Sequence, residues 1–98
     1  MRVRFTPRAL ADAKRMKTWW QRHRPKAPDL FEQELDSAPA RIASAPNVGS
    51  AYEAQDRNIP VRKVLMRKTH NRVYYAVEGD DIVVLTVWGA LRRRGPRL

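Results

Sequence analysis

The chain has 98 residues, 43% of them apolar and none of them cysteine. This length allows one compact domain and excludes a pocket between two domains, and the lack of cysteine excludes a disulfide framework and a thiolate metal site. No stretch approaches the roughly 18 apolar residues of a membrane span, and none resembles a signal peptide, so we expect a cytoplasmic protein that uses no metal and no cofactor.

The charge of the chain is strongly positive and unevenly distributed. The formal net charge is +10. Residues 1–56 carry 10 basic and 7 acidic side chains, whereas residues 57–98 carry 10 basic and 3 acidic ones. Such a surface attracts nucleic acid, a nucleoprotein or an acidic protein. The alternative is a solvated surface that is merely rich in arginine.

The first elements are a short strand and a helix. Residues 2–5 alternate basic and apolar side chains, which predicts a strand with one buried face. Thr6 and Pro7 then supply a helix cap and a proline at the first helical position. The helix runs to about Arg24, which precedes a proline. Its apolar stripe consists of Leu10, Ala13, Met16 and Trp20. Trp19 lies at the edge of the stripe, where it either contacts a partner or packs within a helix hairpin.

A second helix follows a short connector. Asp29 and Glu32 stand in capping-box register. The predicted buried face consists of Phe31, Leu35, Ala38 and Ile42. Pro39 interrupts the helical pattern, so we expect either a kink or a split near Ser37. The short connector predicts an antiparallel hairpin of the two helices.

The second half of the chain predicts three consecutive antiparallel strands. Residues 46–58 have the composition of a loop. The strands are expected at Ile59–Arg67, Arg72–Glu78 and Ile82–Trp88, with a tight turn at Gly79-Asp80. Residues 92–98 lack apolar periodicity and are expected to form an exposed basic tail of the single domain 1–98.

Together these elements predict an α+β fold of order β-α-α-β-β-β, in which the helix hairpin covers one face of a mostly antiparallel sheet. Val73 and Tyr75 should face the helices. Alternation then places four side chains, Lys63, Arg67, Arg72 and Tyr74, on the opposite, uncovered face. The sequence therefore predicts a basic groove there, in which Tyr74 either stacks on a base or covers the sheet.

The order of elements, together with RKVLMRKTHNRVYYAVEGDDIVVLTVWGALRRR at 62–94, resembles toxins of the RelE/ParE superfamily of type II toxin-antitoxin systems. The resemblance extends over essentially the whole chain. It implies a growth inhibitor that is neutralised by an acidic antitoxin from the same operon, with operator DNA bound through the antitoxin. RelE-like members cleave messenger RNA on the ribosome, and ParE-like members poison DNA gyrase.

The resemblance to the RelE branch implies a metal-independent endoribonuclease with four basic site residues. These would be Lys63, Arg67, Arg72 and Arg92. Such cleavage needs a proton acceptor for the 2′-hydroxyl, and a lysine or arginine with a pKa of roughly 10 or above accepts protons poorly at neutral pH. Where the RelE pattern has a C-terminal tyrosine this chain has Leu98, and no Tyr or His follows Tyr75. His70, in a predicted turn, is either a substitute acid-base group or a solvated loop residue.

These departures favour the ParE branch, which requires no catalytic residue. The expected target-binding residues are Arg72, Tyr74, Arg92, Arg93, Arg94 and Arg97. A stand-alone nucleic-acid-binding module is a third hypothesis, but it predicts aromatic residues interleaved with the arginines of 92–97, where there are none. The antitoxin is expected to lay a helix on the helix hairpin or to add a strand to a sheet edge, covering the basic groove.

Overall fold

The computed structural model describes residues 2–98, which form two helices and a five-stranded sheet. The elements in chain order are β1 (Arg2–Phe5), α1 (Pro7–His23), α2 (Leu30–Ser44), β2 (Ser50–Tyr52), β3 (Val61–Met66), β4 (Asn71–Glu78) and β5 (Asp81–Gly89). The strand order is β1-β5-β4-β3-β2, with β1 parallel to β5 and the other pairs antiparallel. The predicted α+β fold, with both helices on one face of a mostly antiparallel sheet, is confirmed.

The start of α1 follows from its first two residues. The Thr6 hydroxyl accepts a hydrogen bond from the Ala9 amide at 3.1 Å, and Pro7 occupies the first helical position. The first amide groups of a helix have no hydrogen-bond partner within it. The Thr6 hydroxyl supplies one such partner, and Pro7 has no amide hydrogen that would need one. The predicted start and the end at Arg24 are both confirmed. In the described part of the chain, no helix is long and apolar enough to span a membrane.

The buried face of α1 matches the predicted stripe at Ala13, Met16 and Trp20, which pack against the core, and differs from it at Leu10. Leu10 is 59% exposed, whereas Ala9 and Asp12 are buried. Asp12 is the reason, because its carboxylate accepts a hydrogen bond of 2.5 Å from the Thr86 hydroxyl on β5. Arg15 also pairs with this carboxylate. The hydrogen bond and the ion pair offset the desolvation cost of burying this carboxylate. A charged residue can therefore lie in the contact between α1 and the sheet.

The second helix is continuous through its proline. Pro39 lies inside α2, which runs unbroken from Leu30 to Ser44, so the chain does not split near Ser37. The proline lacks one amide donor, and the turns on both sides of it are stabilised because Phe31, Ala38 and Ile42 are buried against the sheet. Asp29 occupies the cap position but makes no side-chain cap bond, so the predicted capping box is wrong.

A strand that the sequence did not predict forms one edge of the sheet. β2 lies within residues 46–58, predicted to be a loop, and it pairs with β3. Gly49 permits this approach, since a Cβ there would lie 2.7 Å from the Lys63 carbonyl oxygen. The neighbouring strand β3 begins at Val61 rather than Ile59, after Pro60, which has no amide to donate to a sheet.

The sheet is buried on both faces. The face toward the helices contains Val73, Tyr75 and Val84, so the prediction that Val73 and Tyr75 face the helices is confirmed. The opposite face carries a second apolar cluster that includes Tyr74 and Leu85. The strand β5 contains a β-bulge opposite β4. Tyr74 pairs with Thr86 and Tyr75 pairs with Val84, so Leu85 is the extra residue on β5.

The C-terminal tail covers the second face, so the prediction of an uncovered face and a wholly exposed tail at 92–98 is wrong. Arg92, Arg93 and Arg94 are exposed, but Pro96 and Leu98 are buried. The physical reason is that this face of β4 and β5 is apolar and needs a cover. The tail segment 95–98, with the loop that follows β2, supplies that cover.

Hydrogen bonds hold this tail segment in place. The Tyr52 hydroxyl donates to the Pro96 carbonyl at 2.6 Å, and the Leu98 amide donates to the Gln55 side chain at 3.1 Å. The Asp56 amide donates to a Leu98 oxygen at 2.5 Å. The backbone of the tail is therefore fixed at several points while its last side chain enters the core.

Replacement of Leu98 tests this arrangement. We expect Leu98→Ala to lower the free energy of unfolding by about 2 kcal/mol, which is at the low end for a buried leucine. Leu91→Ala is the matched control, since Leu91 is 85% exposed and its change should stay within about 0.5 kcal/mol. Urea titration of both variants measures the difference, and equal stabilities would mean that the tail is not part of the core.

Candidate functional site

Two of the predicted basic residues meet around Trp88, where β5 ends. Arg72 on β4 lies opposite Trp88 in the strand register, and its Nη1 donates to the Ala90 carbonyl at 3.4 Å. The Arg92 guanidinium carbon lies 4.1 Å from the centroid of the Trp88 ring. A guanidinium stacked on an indole keeps its charge and its outward donors available. We call Arg72, Trp88 and Arg92 the basic end of the sheet.

The arginines that follow Arg92 differ in their surroundings. The Trp88 indole N–H donates to the Arg94 carbonyl at 2.8 Å, which fixes the backbone of this turn. Arg93 and Arg94 have exposed side chains beside the basic end. Arg97 is exposed as well, but it forms a bidentate ion pair with Asp56 at 2.9 and 3.0 Å. Of the tail arginines expected to bind a target, Arg97 therefore already has an intramolecular partner.

Lys63 lies on β3 and Arg67 directly follows it, beside the strand β4 that carries Arg72. The Lys63 ammonium lies 5.6 Å from the centroid of the Tyr52 ring, whose hydroxyl is bonded to the tail segment 95–98. Arg67 is exposed immediately after β3. The strand register places Lys63 opposite Tyr74 and Arg72 opposite Leu65, so Lys63 and Arg72 are diagonal neighbours on one face of the sheet.

Tyr74 is enclosed rather than exposed, which contradicts the expectation that it lies on an open face and binds a target. Only 1% of its surface is accessible, and its ring packs edge-on against Tyr52 at a centroid distance of 4.7 Å. Burial raises the pKa of its phenol above the ordinary value of 10.0, and the charge of Arg72 only partly opposes this shift. Tyr74 therefore covers the sheet and is not available to stack on a base.

The two histidines have separate surroundings. His23 stacks on Trp19 at 4.4 Å, and its Nδ1 lies 2.8 Å from the Trp19 carbonyl oxygen. His70 is exposed in the turn between β3 and β4, with a positive φ of 58°. It lines a shallow groove together with Lys68 and Arg92. His70 is thus the histidine that shares a groove with Arg92 of the basic end, and it is also close to Arg72 in the sequence.

A cleft beside the basic end was missed by the sequence analysis. It lies between the C-terminal half of α1 and the end of β5, has a volume of about 420 Å³, and is lined by Trp19, Trp20, Trp88 and Arg92 among others. We call it the tryptophan cleft. The adjacent indoles at 19 and 20 were a signal for it, since they cannot share one buried stripe. Its other wall could not be predicted because it depends on where β5 ends relative to α1.

The arrangement at the basic end suits anion binding. Arg72 and Arg92 carry permanent positive charges and present guanidinium donors that match phosphate and carboxylate oxygens. Neither forms an ion pair with a carboxylate in the described part of the chain. A guanidinium does not release its proton near neutral pH, so these two residues can hold and neutralise an anion but cannot accept a proton.

Comparison with known proteins identifies relatives of the whole chain. A family model described as the ParE toxin of type II toxin-antitoxin system, parDE, matches residues 3–94. Among curated proteins, no significant sequence match is found.

Solved structures share the fold at low sequence identity. The chromosomal ParDE toxin-antitoxin system from P. aeruginosa has a TM-score of 0.71 at 18% identity, with 91% of this chain and 95% of that chain covered. The isolated E. coli RelE toxin has a TM-score of 0.53 at 18% identity, with 95% of this chain and 87% of that chain covered.

The raised pKa of Tyr74 predicts a loss of stability at alkaline pH. The folded protein keeps this phenol neutral, whereas the unfolded chain ionises it above about pH 10, so its contribution is full below pH 10 and is lost as the pH rises further. We expect Tyr74→Phe to lose less stability than the unmodified chain between pH 8 and pH 11, measured by urea unfolding. Parallel curves for the two proteins would show that the phenol is not desolvated.

Proposed function

Because the chain belongs to the ParE toxin family of type II toxin-antitoxin systems, we propose that it arrests bacterial growth by poisoning DNA gyrase in the cytoplasm. The observation that carries this proposal is the match of the ParE model over residues 3–94. The fold alone does not select the target, because one fold can carry different activities. The choice of gyrase therefore needs support from the site.

The charge of the site supports contact with a nucleoprotein target. The exposed arginines at 92–94 and Arg72 lie at one end of the sheet. In a complex of gyrase with DNA, the DNA presents many phosphate groups. Arginine is well suited to such contacts because it binds phosphate oxygens with two parallel hydrogen bonds. In this proposal the arginines bind the target, and no residue performs a chemical step.

The burial of Tyr74 and the presence of leucine at position 98 support gyrase over messenger RNA as the target. Cleavage through the 2′-hydroxyl needs a group that takes up its proton near neutral pH. Tyr74 is buried with a raised pKa, and Leu98, at the position of the C-terminal tyrosine in RelE-like toxins, is buried in the second cluster. Neither residue can supply that function.

One observation favours a second candidate, ribosome-dependent cleavage of messenger RNA. His70 lines the same groove as Lys68 and Arg92, so an imidazole lies beside two cations that can bind a phosphodiester, and imidazole is the side chain most often used for acid-base catalysis. In this alternative Lys63, Arg67, Arg72 and Arg92 would neutralise the developing charge once the ribosome had ordered the substrate.

We further propose that a cognate acidic antitoxin neutralises the toxin and that operator DNA is bound through the antitoxin in the complex. The net charge of +10 favours an acidic partner, because complementary charge speeds association and selects against other positively charged proteins.

Induction of the chain in a bacterial host without an antitoxin tests the target. Messenger RNA integrity and plasmid supercoiling are followed in the same cells during the first minutes. We expect intact transcripts together with altered supercoiling or trapped gyrase–DNA breaks. Rapid cleavage of transcripts in phase with codons would contradict the gyrase proposal.

His70→Asn separates the two candidate functions by mutation. Asparagine tolerates a positive φ better than most residues, so this change removes the imidazole with little backbone strain. We expect unchanged growth arrest if gyrase is the target. Loss of growth arrest in a variant with an unaltered melting temperature would favour the ribonuclease.

Charge reversal tests the basic end itself. We expect Arg72→Glu combined with Arg92→Glu to weaken target binding by at least about tenfold and to relieve growth arrest, because arginines at the centre of an interface contribute strongly to binding. Lys26→Glu combined with Arg57→Glu is the matched control, with the same charge change at exposed positions elsewhere. Equal toxicity of the two double variants would remove the basic end from the mechanism.

A further inference from the structure

The tryptophan cleft is formed in the isolated chain by side chains that are already held in place. The Trp20 indole N–H donates to the Ala27 carbonyl at 2.7 Å, and the Trp88 indole N–H donates to the Arg94 carbonyl at 2.8 Å. Both rings therefore have fixed positions in the walls. A pre-formed wall lowers the entropic cost of binding, because little has to be ordered when an occupant enters.

The size and lining of the cleft suit a large apolar side chain. Its volume of about 420 Å³ is within the range of about 300–1,000 Å³ usual for binding pockets. Met16 and three tryptophans supply most of its apolar lining. An aromatic or long aliphatic side chain that entered it would lose most of its contact with water, which is the main source of binding free energy at interface hot spots.

The charges around the cleft select an acidic occupant. Arg15 and Arg92 line it, and the only carboxylate in its lining, Asp12, is already bound to Thr86 and Arg15. The hollows on either side add further cations without any acidic residue, namely Lys14, Arg22, Arg24 and Lys68. A partner with carboxylates beside its apolar anchor would be attracted to this surface, and a basic partner would be repelled.

Exposed apolar side chains mark both ends of this surface. Trp19 is 50% exposed at the α1 side, and Leu91 is 85% exposed at the side of the turn after β5. Scattered exposed apolar residues are ordinary, but two of this size beside an aromatic cleft extend one apolar surface. The occupant is therefore a segment of protein chain that crosses the cleft, rather than a small molecule enclosed by it.

We propose that the tryptophan cleft is the docking site of an acidic antitoxin segment, which inserts one large apolar side chain beside Trp19 and Trp88 and places a carboxylate on Arg92. This inference rests on the proposed function, since it requires an antitoxin. Trp88 and Arg92 also belong to the basic end of the sheet. The bound antitoxin thus covers part of the surface proposed for the target, and the two compete for it.

The test uses the full chain and, as probe, the protein encoded by the reading frame adjacent to its gene. Affinity is measured by calorimetry for the unmodified chain, for Trp19→Ala and for Arg92→Glu. We expect each substitution to weaken binding at least about tenfold, as for central aromatic and arginine residues of interfaces. Leu10→Ala on the same helix and Arg57→Glu are the matched controls, with expected changes below about threefold.

Each outcome separates the docking site from the function. If the probe fails to bind the unmodified chain, the proposed antitoxin and this inference both fall. If it binds the unmodified chain and all four variants alike, only the docking site is overturned. A single-stranded oligonucleotide of twelve nucleotides serves as a competitor, and its binding, abolished by Trp19→Ala, would assign the cleft to nucleic acid instead.

A second measurement does not depend on how the variants fold. Iodide quenches exposed indoles, so the tryptophan fluorescence of the unmodified chain is titrated with iodide before and after the probe is bound. We expect the half-exposed Trp19 to become shielded in the complex. Unchanged quenching with a bound probe would overturn the proposal.

Discussion

The two-sided burial of β5 is the constraint on which the rest of the structure depends. Its side chains enter both apolar clusters, Val84 and Val87 on the helix side and Val83 and Leu85 on the other. A strand of this kind requires a cover on each face of the sheet. The helix hairpin covers one face. The C-terminal segment, which has no periodic pattern of its own, must therefore fold back over the other.

This constraint also determines which residues remain free for function. The tail segment 95–98 encloses Tyr74, so the phenol of Tyr74 is not left open on that face to take part in chemistry. Arg72 and Arg92 lie where β5 ends, around an indole that lines the neighbouring cleft as well. One end of a small domain can thus bind both a polyanionic target and the partner that excludes it.

The sequence carried the local features of the fold better than its long-range ones. Thr6-Pro7 and the alternation around Val73 depend on neighbouring residues, and both were predicted correctly. The three-residue strand β2 was missed because it is held by its pairing with β3 and has no pattern of its own. The prediction placed Tyr74 on the correct face of the sheet but wrongly expected it to be exposed. Its burial depends on the tail segment, which lies more than twenty residues further along the chain. At the site, residue types indicated the basic end, but the cleft required the packing of α1 beside β5.

The most direct test of the proposed mechanism combines the purified chain with purified gyrase, supercoiled plasmid and ATP, and in parallel with translating ribosomes and a defined messenger RNA. We expect linear plasmid, released by digestion of covalently attached gyrase, to accumulate with toxin concentration, and the messenger RNA to remain intact. Messenger cleavage on ribosomes with no effect on gyrase would contradict the proposed mechanism and would make the groove of His70 and Arg92 a catalytic site.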